Sequence, residues 1–194
     1  MPKKITIING HPDRDASRYC HALSQSYMEG ALEAGHEVKQ INISELQFPL
    51  ITSPADYKKG DAPDEIKQAQ NSIEWAEHIV IIYPLWLGTM PALLKGFLEQ
   101  IARPGFAFQD IKGGFPKGRL QGRSARVIVT MGMPGFIYKW FFFAHSLKAL
   151  ERNILKFIGI SPVRSTILGS VEAAKDPTRK GWIYKIRQLG IKAR

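Results

Sequence analysis

Short apolar runs alternate along the chain with longer stretches whose apolar residues recur every three or four positions. The run "KITIIN" near the N-terminus is β-rich and nearly continuous in apolar residues, as strands buried on both faces of a parallel sheet are. From Ser17 to Ala34, the residues Cys20, Leu23, Tyr27, Ala31 and Ala34 mark one face of a helix, and Gly35 stops it. "HEVKQINI" predicts a second strand, and "SELQFPLITSPADYKKGDAP" a loop rich in breakers. A helix through Pro63–Glu77 leads into the third strand, "HIVIIYPL". The next helix opens at Pro91 and carries Leu94, Phe97, Leu98 and Ile101 on one face. "SARVIVT" and "PVRSTIL" complete the strands. Between them Leu147, Leu150, Ile154 and Phe157 mark a helix ended by Gly159, and Trp182, Ile186 and Leu189 line a last one. Five strands alternating with helices predict an α/β fold: an open five-stranded parallel sheet with helices on both faces, a three-layer sandwich. No internal repeat or low-complexity linker interrupts the pattern, so residues 1–194 read as a single domain.

Composition narrows the class. The chain is 44% hydrophobic, with no run long enough to cross a bilayer, so no stable membrane insertion is expected. Met-Pro-Lys-Lys passes at once into a strand-like run, without the apolar stretch of a signal peptide, and a cytoplasmic location is the expectation. With Cys20 the only cysteine, neither an internal disulfide nor a thiolate metal cluster is expected. The formal charge of +10 raises nucleic acid, acidic membrane surfaces and anionic small ligands as partners. No helix-turn-helix spacing, zinc pattern or RNP-type strand backs a nucleic-acid site. The tail "KDPTRKGWIYKIRQLGIKAR", with seven basic residues against one acid, reads as a solvated helix face.

In open parallel sheets, ligands bind beyond the carboxyl ends of the strands, near the switch in strand order. Three loops qualify: "NGHPDRDASRY", "YPLWLGTMP" and "TMGMPGFIYKW". The first lacks both the P-loop and the G-x-G-x-x-G dinucleotide patterns. It gathers His11, Ser17, Arg18 and Tyr19 around a helix start, where backbone N–H groups, helix dipole, hydroxyl and guanidinium suit an anion. Asp13 and Asp15 oppose a phosphate there unless they turn to solvent, and the competing reading has Asp15 or Ser17 simply capping the helix. The second loop brackets Trp86 and Leu87 between Pro84 and Gly88-Thr89, a platform for a flat ring if Trp86 is not core. In the third, small residues through Thr130-Met131-Gly132-Met133-Pro134-Gly135 allow close backbone approach. Tyr138 and His145 are polar tips in the apolar run "FIYKWFFFAH", which suits core, pocket wall or subunit interface equally. Together the loops predict a planar phosphorylated cofactor. A flavin fits, its phosphate in the first loop and its ring between the other two.

The stretch "YPLWLGTMPALLKGFLEQIARPGFAF" resembles the block P-L-x-W-x-x-x-P-A-x-L-K-G, followed by Trp or Phe and a trailing G-F-A-aromatic, of the flavodoxin-like NAD(P)H:quinone oxidoreductases. That family includes the modulator-of-drug-activity and potassium-efflux-ancillary types. "NISELQFPLI" is similar to its segment after strand two, and "IINGHPDRDASRY" to its flavin-phosphate loop; the similarity covers roughly residues 3–170. The resemblance implies a flavodoxin-like sandwich in which His11, Ser17, Arg18 and Tyr19 hold the flavin phosphate and ribityl chain. Pro84, Leu85, Trp86, Leu87 and Gly88 then line the isoalloxazine, with Thr130, Met131 and Gly132 at its other edge. Tyr138 and His145 match a Tyr…His pair that assists charge changes on the ring, and Phe108 contributes to a neighbouring subunit's substrate pocket in a homodimer.

The implied activity is that of an NAD(P)H dehydrogenase (quinone). FMN, with FAD as the alternative, takes a hydride from NAD(P)H and passes it, ping-pong, to a quinone or a similar flat acceptor. The family's usual Trp stands one place later, where this chain has Leu87, and its Thr-Thr-Gly-Gly is here Thr130-Met131-Gly132-Met133. Some relatives are ancillary subunits, so the alternative is a flavin-binding regulatory protein that docks on a transporter or another protein with little turnover of its own.

Overall fold

The computed structural model describes residues 1–109, 114 and 116–194, without the side chain of Lys59. In chain order the elements are β1 (Lys4–Asn9), α1 (Tyr19–Glu33), β2 (Glu37–Asn42), α2 (Pro54–Lys59), α3 (Asp64–Trp75), β3 (His78–Pro84) and α4 (Ala92–Ile101). There follow β4 (Phe108–Gln109), β5 (Lys117–Gly118), β6 (Ser124–Thr130), α5 (Gly135–Trp140), α6 (His145–Ala149), β7 (Val163–Leu168) and α7 (Asp176–Ile191). A π-helical stretch, Leu150–Lys156, prolongs α6, so the single helix expected from Leu147 to Phe157 is present with a changed pitch.

Five strands form one parallel sheet in the order β2-β1-β3-β6-β7, while β4 and β5 make a small antiparallel pair. The chain moves outward from β1 to β2 and then returns past β1 to β3. Strand order therefore reverses between β1 and β3, and a crevice opens beyond their carboxyl ends.

Alternation along the strands divides the core. Ile5, Ile7, Val80, Ile82, Ile128 and Leu168 pack with Leu23, Tyr27 and Ile186 of α1 and α7. Ile8, Ile79, Ile81, Val127 and Val129 pack on the other face with Leu94, Phe97 and Leu150. Burying both faces is what made the central strands β1, β3 and β6 read as nearly unbroken apolar runs, while the edge strands β2 and β7 keep exposed polar positions. Helices α1 and α7 approach through glycine: a Cβ on Gly30 would lie 2.2 Å from the Arg187 carbonyl oxygen, and one on Gly190 would lie 2.2 Å from that of Tyr27. No helix among the described residues is long and apolar enough to cross a membrane.

Two local differences from the sequence reading have clear causes. The breaker-rich loop contains α2, with Pro54 in its first turn and the Ser53 hydroxyl accepting the Asp56 N–H at 3.0 Å. The first long helix starts at Tyr19 rather than Ser17, because the loop before it is held by its own side chains.

Candidate functional site

Asn9, at the end of β1, organises the first loop. Its Oδ1 accepts the His11 N–H at 3.2 Å, and its Nδ2 lies 2.7 Å from Nδ1 of His21 in α1. His21 Nε2 lies 2.8 Å from the Asp13 carbonyl, so His21 donates from Nε2 and accepts on Nδ1. His11 Nδ1 accepts the Asp13 N–H at 3.1 Å, which assigns its proton to Nε2. Burial, and after it the neighbouring His21, holds His11 below the ordinary imidazole range. His11 is a neutral N–H donor at neutral pH.

Beyond His11 the loop folds onto its own carboxylates. The Asp15 N–H donates to Asp13 Oδ1 at 3.0 Å, the Ser17 N–H to Asp15 Oδ1 at 2.9 Å, and Arg18 Nε to Asp13 Oδ2 at 2.7 Å. The Asp15 N–H first, and Arg18 second, hold the Asp13 carboxyl below the usual range; the Ser17 N–H and hydroxyl do the same for Asp15. Arg18, 2.7 Å from Asp13 and 3.6 Å from Asp15, offsets one of the two negative charges, and Asp13 is itself part of the wall of the cavity that opens here. Neither Asp15 nor Ser17 caps α1, whose first turn receives no side-chain acceptor. The capping alternative is not what the structure has, and the N–H groups of the first turn are left without a side-chain acceptor.

A cavity of about 600 Å³ opens at this point, lined by His11, Ser17, Arg18, Tyr19, Pro84, Trp86 and Thr130. Sequence reasoning missed the opposite wall, where Glu172 and Arg179 stand. Arg179 lies in the first turn of α7; its Nη2 donates to the Glu172 carbonyl at 3.0 Å, and its Nε is buried without a partner among the described residues. Its own carbonyl accepts the Tyr19 hydroxyl at 2.9 Å. Burial pushes the Tyr19 phenol up to about 12 and the Cys20 thiol likewise to about 12, so neither ionises at neutral pH.

The second loop makes a two-residue turn. Trp86 and Thr89 exchange backbone hydrogen bonds of 2.8 and 3.0 Å, while Leu87 and Gly88 take φ of 48° and 78°, the pattern of a type I′ turn. Glycine suits that second position, whereas Leu87 pays for its left-handed backbone and projects fully into solvent. Trp86 is half-exposed and stands edge-on to His11, with ring centroids 5.8 Å apart. The third loop is tied to the second: the Leu85 N–H donates to the Thr130 carbonyl at 2.7 Å. Met131 is buried, its N–H given to the Leu168 carbonyl at 2.9 Å, and a Cβ on Gly132 would sit 3.6 Å from the Glu172 carboxylate. Leu85, Met131 and Gly132 therefore support the cavity without lining it.

Tyr138 and His145 lie on the other side of the turn, around a cavity of about 360 Å³ that also touches Leu87, Gly88, Met133 and Phe142. The buried Tyr138 hydroxyl is 2.7 Å from Ser146 Oγ and accepts the Leu147 N–H at 3.1 Å, while His145 is exposed. Phe108 is buried against Phe157 in a separate cavity of about 590 Å³. That cavity shares Lys95, Asn153 and Ile154 with one of about 630 Å³ beside Trp86 and Leu87. Among the described residues no group of three or more His, Cys, Asp or Glu side chains gathers to hold a metal.

An open parallel α/β sheet whose strand order reverses at a crevice beyond the strands' carboxyl ends defines a class of doubly wound folds. Within that class the chain belongs to the flavodoxin-like fold family, whose model matches residues 3–189. It is 29% identical over 181 residues to an "uncharacterized NAD(P)H oxidoreductase" of Haemophilus influenzae, covering 91% of this chain and 89% of that one. It is 30% identical over 131 residues to the ribosyldihydronicotinamide dehydrogenase [quinone] of Pongo abelii, covering 66% of this chain and only 56% of that protein. The solved NAD(P)H:quinone oxidoreductase of Methanothermobacter marburgensis superposes with a TM-score of 0.86 at 22% identity over the full length of both chains, a likeness of fold.

Proposed function

We propose that the protein is a flavin-dependent NAD(P)H oxidoreductase that passes a hydride, in two alternating half-reactions, to a quinone or a similar flat acceptor. One observation carries this reading: the anion donors of the first loop and the aromatic turn of the second meet in one cavity. The oxidoreductase and quinone dehydrogenase names of the two sequence relatives support it. The residues present fit a flavin, because the cavity offers an uncapped helix start, the His11 Nε2–H, Ser17 and the orphaned Arg179 Nε at its polar end. Pro84, Trp86 and Thr130 form its wall.

A bound flavin, FMN in preference to FAD, supplies the group that takes hydride from NAD(P)H and yields it to the acceptor. The chain's own residues bind, orient and protect. Arg18 is half-exposed, so leaving Asp13 for a phosphate costs it little. Trp86 and Leu87 present an apolar rim that excludes water and favours flat acceptors. With Ser146 donating, both lone pairs of the Tyr138 oxygen are filled and its single proton is free to be given toward the cavity it shares with His145. The same reading carries a homodimer in which Phe108 closes the acceptor pocket of the other copy, which sedimentation tests.

The decisive measurement is an absorption spectrum of the purified protein before and after anaerobic NADPH. Flavin bands that bleach are the expected result. A colourless protein that takes up neither FMN nor FAD would overturn the proposal.

A further inference from the structure

Five rings of the run from Phe136 to Phe143 face water, whereas Tyr138 within it is buried and belongs to the proposed electron-transfer site. Phe136 (66%), Trp140 (73%), Phe141 (75%), Phe142 (46%) and Phe143 (58%) keep much of their surface exposed. Apolar side chains scattered singly over a surface are ordinary, but five large rings in one short segment are not. The backbone is held in a costly form to present them. Phe143 and Ala144 follow one another with φ of 51° and 49°, left-handed values that residues bearing a Cβ rarely adopt. This bend returns the chain into α6 and leaves the rings outside.

The segment that carries the patch has one sign of charge. Lys139 lies over the Trp140 ring at 5.9 Å, Lys148 is exposed, and the sequence has no Asp or Glu between Asp110 and Glu151. The patch also runs into the candidate site, since Phe142 shares a cavity with Leu87, Gly88, Tyr138 and His145.

We infer that this patch docks the protein on an anionic lipid bilayer, with the rings at headgroup depth and Lys139 and Lys148 on the acidic headgroups. Aromatic rings flanked by lysines are the side chains that settle at a membrane interface, and lysines near it gain from the negative surface potential. Docked this way, the turn at residues 86–89 faces the layer in which lipophilic acceptors dissolve, a consequence that rests on the function proposed above. A second copy of the chain suits the patch less well. A two-fold contact would set the lysines against themselves with no carboxylate in the segment to pair them.

Vesicle co-sedimentation of the purified full-length protein tests the inference, with phosphatidylcholine alone and with phosphatidylcholine containing phosphatidylglycerol. The protein should pellet with the anionic vesicles and far less with the neutral ones. The triple variant Phe136→Ser/Trp140→Ser/Phe141→Ser should lose binding. The charge reversal Lys139→Glu/Lys148→Glu should weaken it by about thirtyfold or more, while both variants reduce a water-soluble quinone at the wild-type rate. Wild type left in the supernatant with both vesicles overturns the inference, as does a triple variant that binds as well as wild type. A triple variant that dissociates a dimer and leaves vesicle binding unchanged also overturns it and assigns the patch to a second copy. Wild type that binds anionic vesicles but holds no flavin upholds docking and removes the oxidoreductase reading instead.

Discussion

His78 opens β3 at the amino edge of the sheet, wholly buried, and it makes stability depend on pH in a calculable way. Its Nδ1 lies 2.8 Å from Ser124 Oγ, its ring stacks on Tyr27 at 6.5 Å, and its Nε2 is buried without a partner among the described residues. Burial first, and then the charges of Lys3, Arg126 and Arg164, lower its pKa from 6.5 to about 3. The unfolded chain binds the proton near the ordinary value, while the folded chain refuses it until about pH 3. Unfolding therefore takes up a proton between those limits, so stability is complete above the unfolded pKa and falls as pH falls. The loss is about 2 kcal/mol at about pH 5 and approaches about 5 kcal/mol below about pH 3. For a chain of this size, 2 kcal/mol lowers Tm by about 4–8 °C. His11, also held below its usual range, adds to the wild-type slope in the same direction. His78→Gln isolates the larger contribution: its Tm should start lower near pH 7 but fall less on going to pH 5. Calorimetry or urea titration at several pH values checks this. Wild-type and variant curves falling in parallel would show that His78 does not titrate across the transition.

Three further outcomes are expected. Tyr138→Phe should slow flavin reduction in anaerobic stopped flow by about tenfold or more without releasing flavin, and an unchanged rate would leave Tyr138 with only the structural role of holding the Leu147 N–H and Ser146. Ser17→Ala/Arg18→Ala should raise the flavin dissociation constant by about tenfold to a hundredfold, and full occupancy after dialysis would deny the loop its ligand. Arg103→Ala should cost about 2–3 kcal/mol in urea unfolding, because the buried guanidinium bonds the Asp56 carbonyl (2.6 Å), the Gly60 carbonyl (3.0 Å) and Asp56 Oδ1 (3.2 Å), and a loss below about 1 kcal/mol would show that α2 holds without it.

The sheet was legible because strands buried on both faces leave unbroken apolar runs, and α3 and α4 because their apolar faces repeat at helical spacing. Gly35, read as a stop, has the left-handed φ of 77° that a helix C-terminus favours. The missed α2 had left a signal, since Ser53-Pro54 with Asp56 is a helix start that the surrounding breakers disguised. The site was legible only in part. His11, Ser17, Arg18 and Tyr19 do meet Trp86 and Thr130, because all follow strands that the sheet order makes neighbours. Arg179 could not be read. It reaches the cavity only because α7 packs against α1 through Gly30 and Gly190, a contact between distant segments with no local signature. The pairing of Arg18 with Asp13 was equally hidden, since it depends on the path the loop takes around Asn9 and His21.

Backbone strain and exposed apolar surface fall in the same places. Of the five non-glycine residues with left-handed φ among the described residues, Leu87, Phe143, Ala144 and Ser170 lie in the segments after β3, β6 and β7, at the carboxyl edge of the sheet; Ala193 is near the end of α7. Trp86, Leu87, Phe136, Trp140 and Phe141–Phe143, seven of the chain's large exposed apolar residues, occupy those same segments. Packing alone gains nothing from either feature, because each left-handed residue costs strain and each ring kept in water contributes no burial. The two apolar cores, one on each face of the sheet, supply the stability that offsets them. Strain concentrated at the one edge where open α/β sheets bind their ligands fits the proposed site, and it is also why substitutions at that edge should change binding more than they change folding.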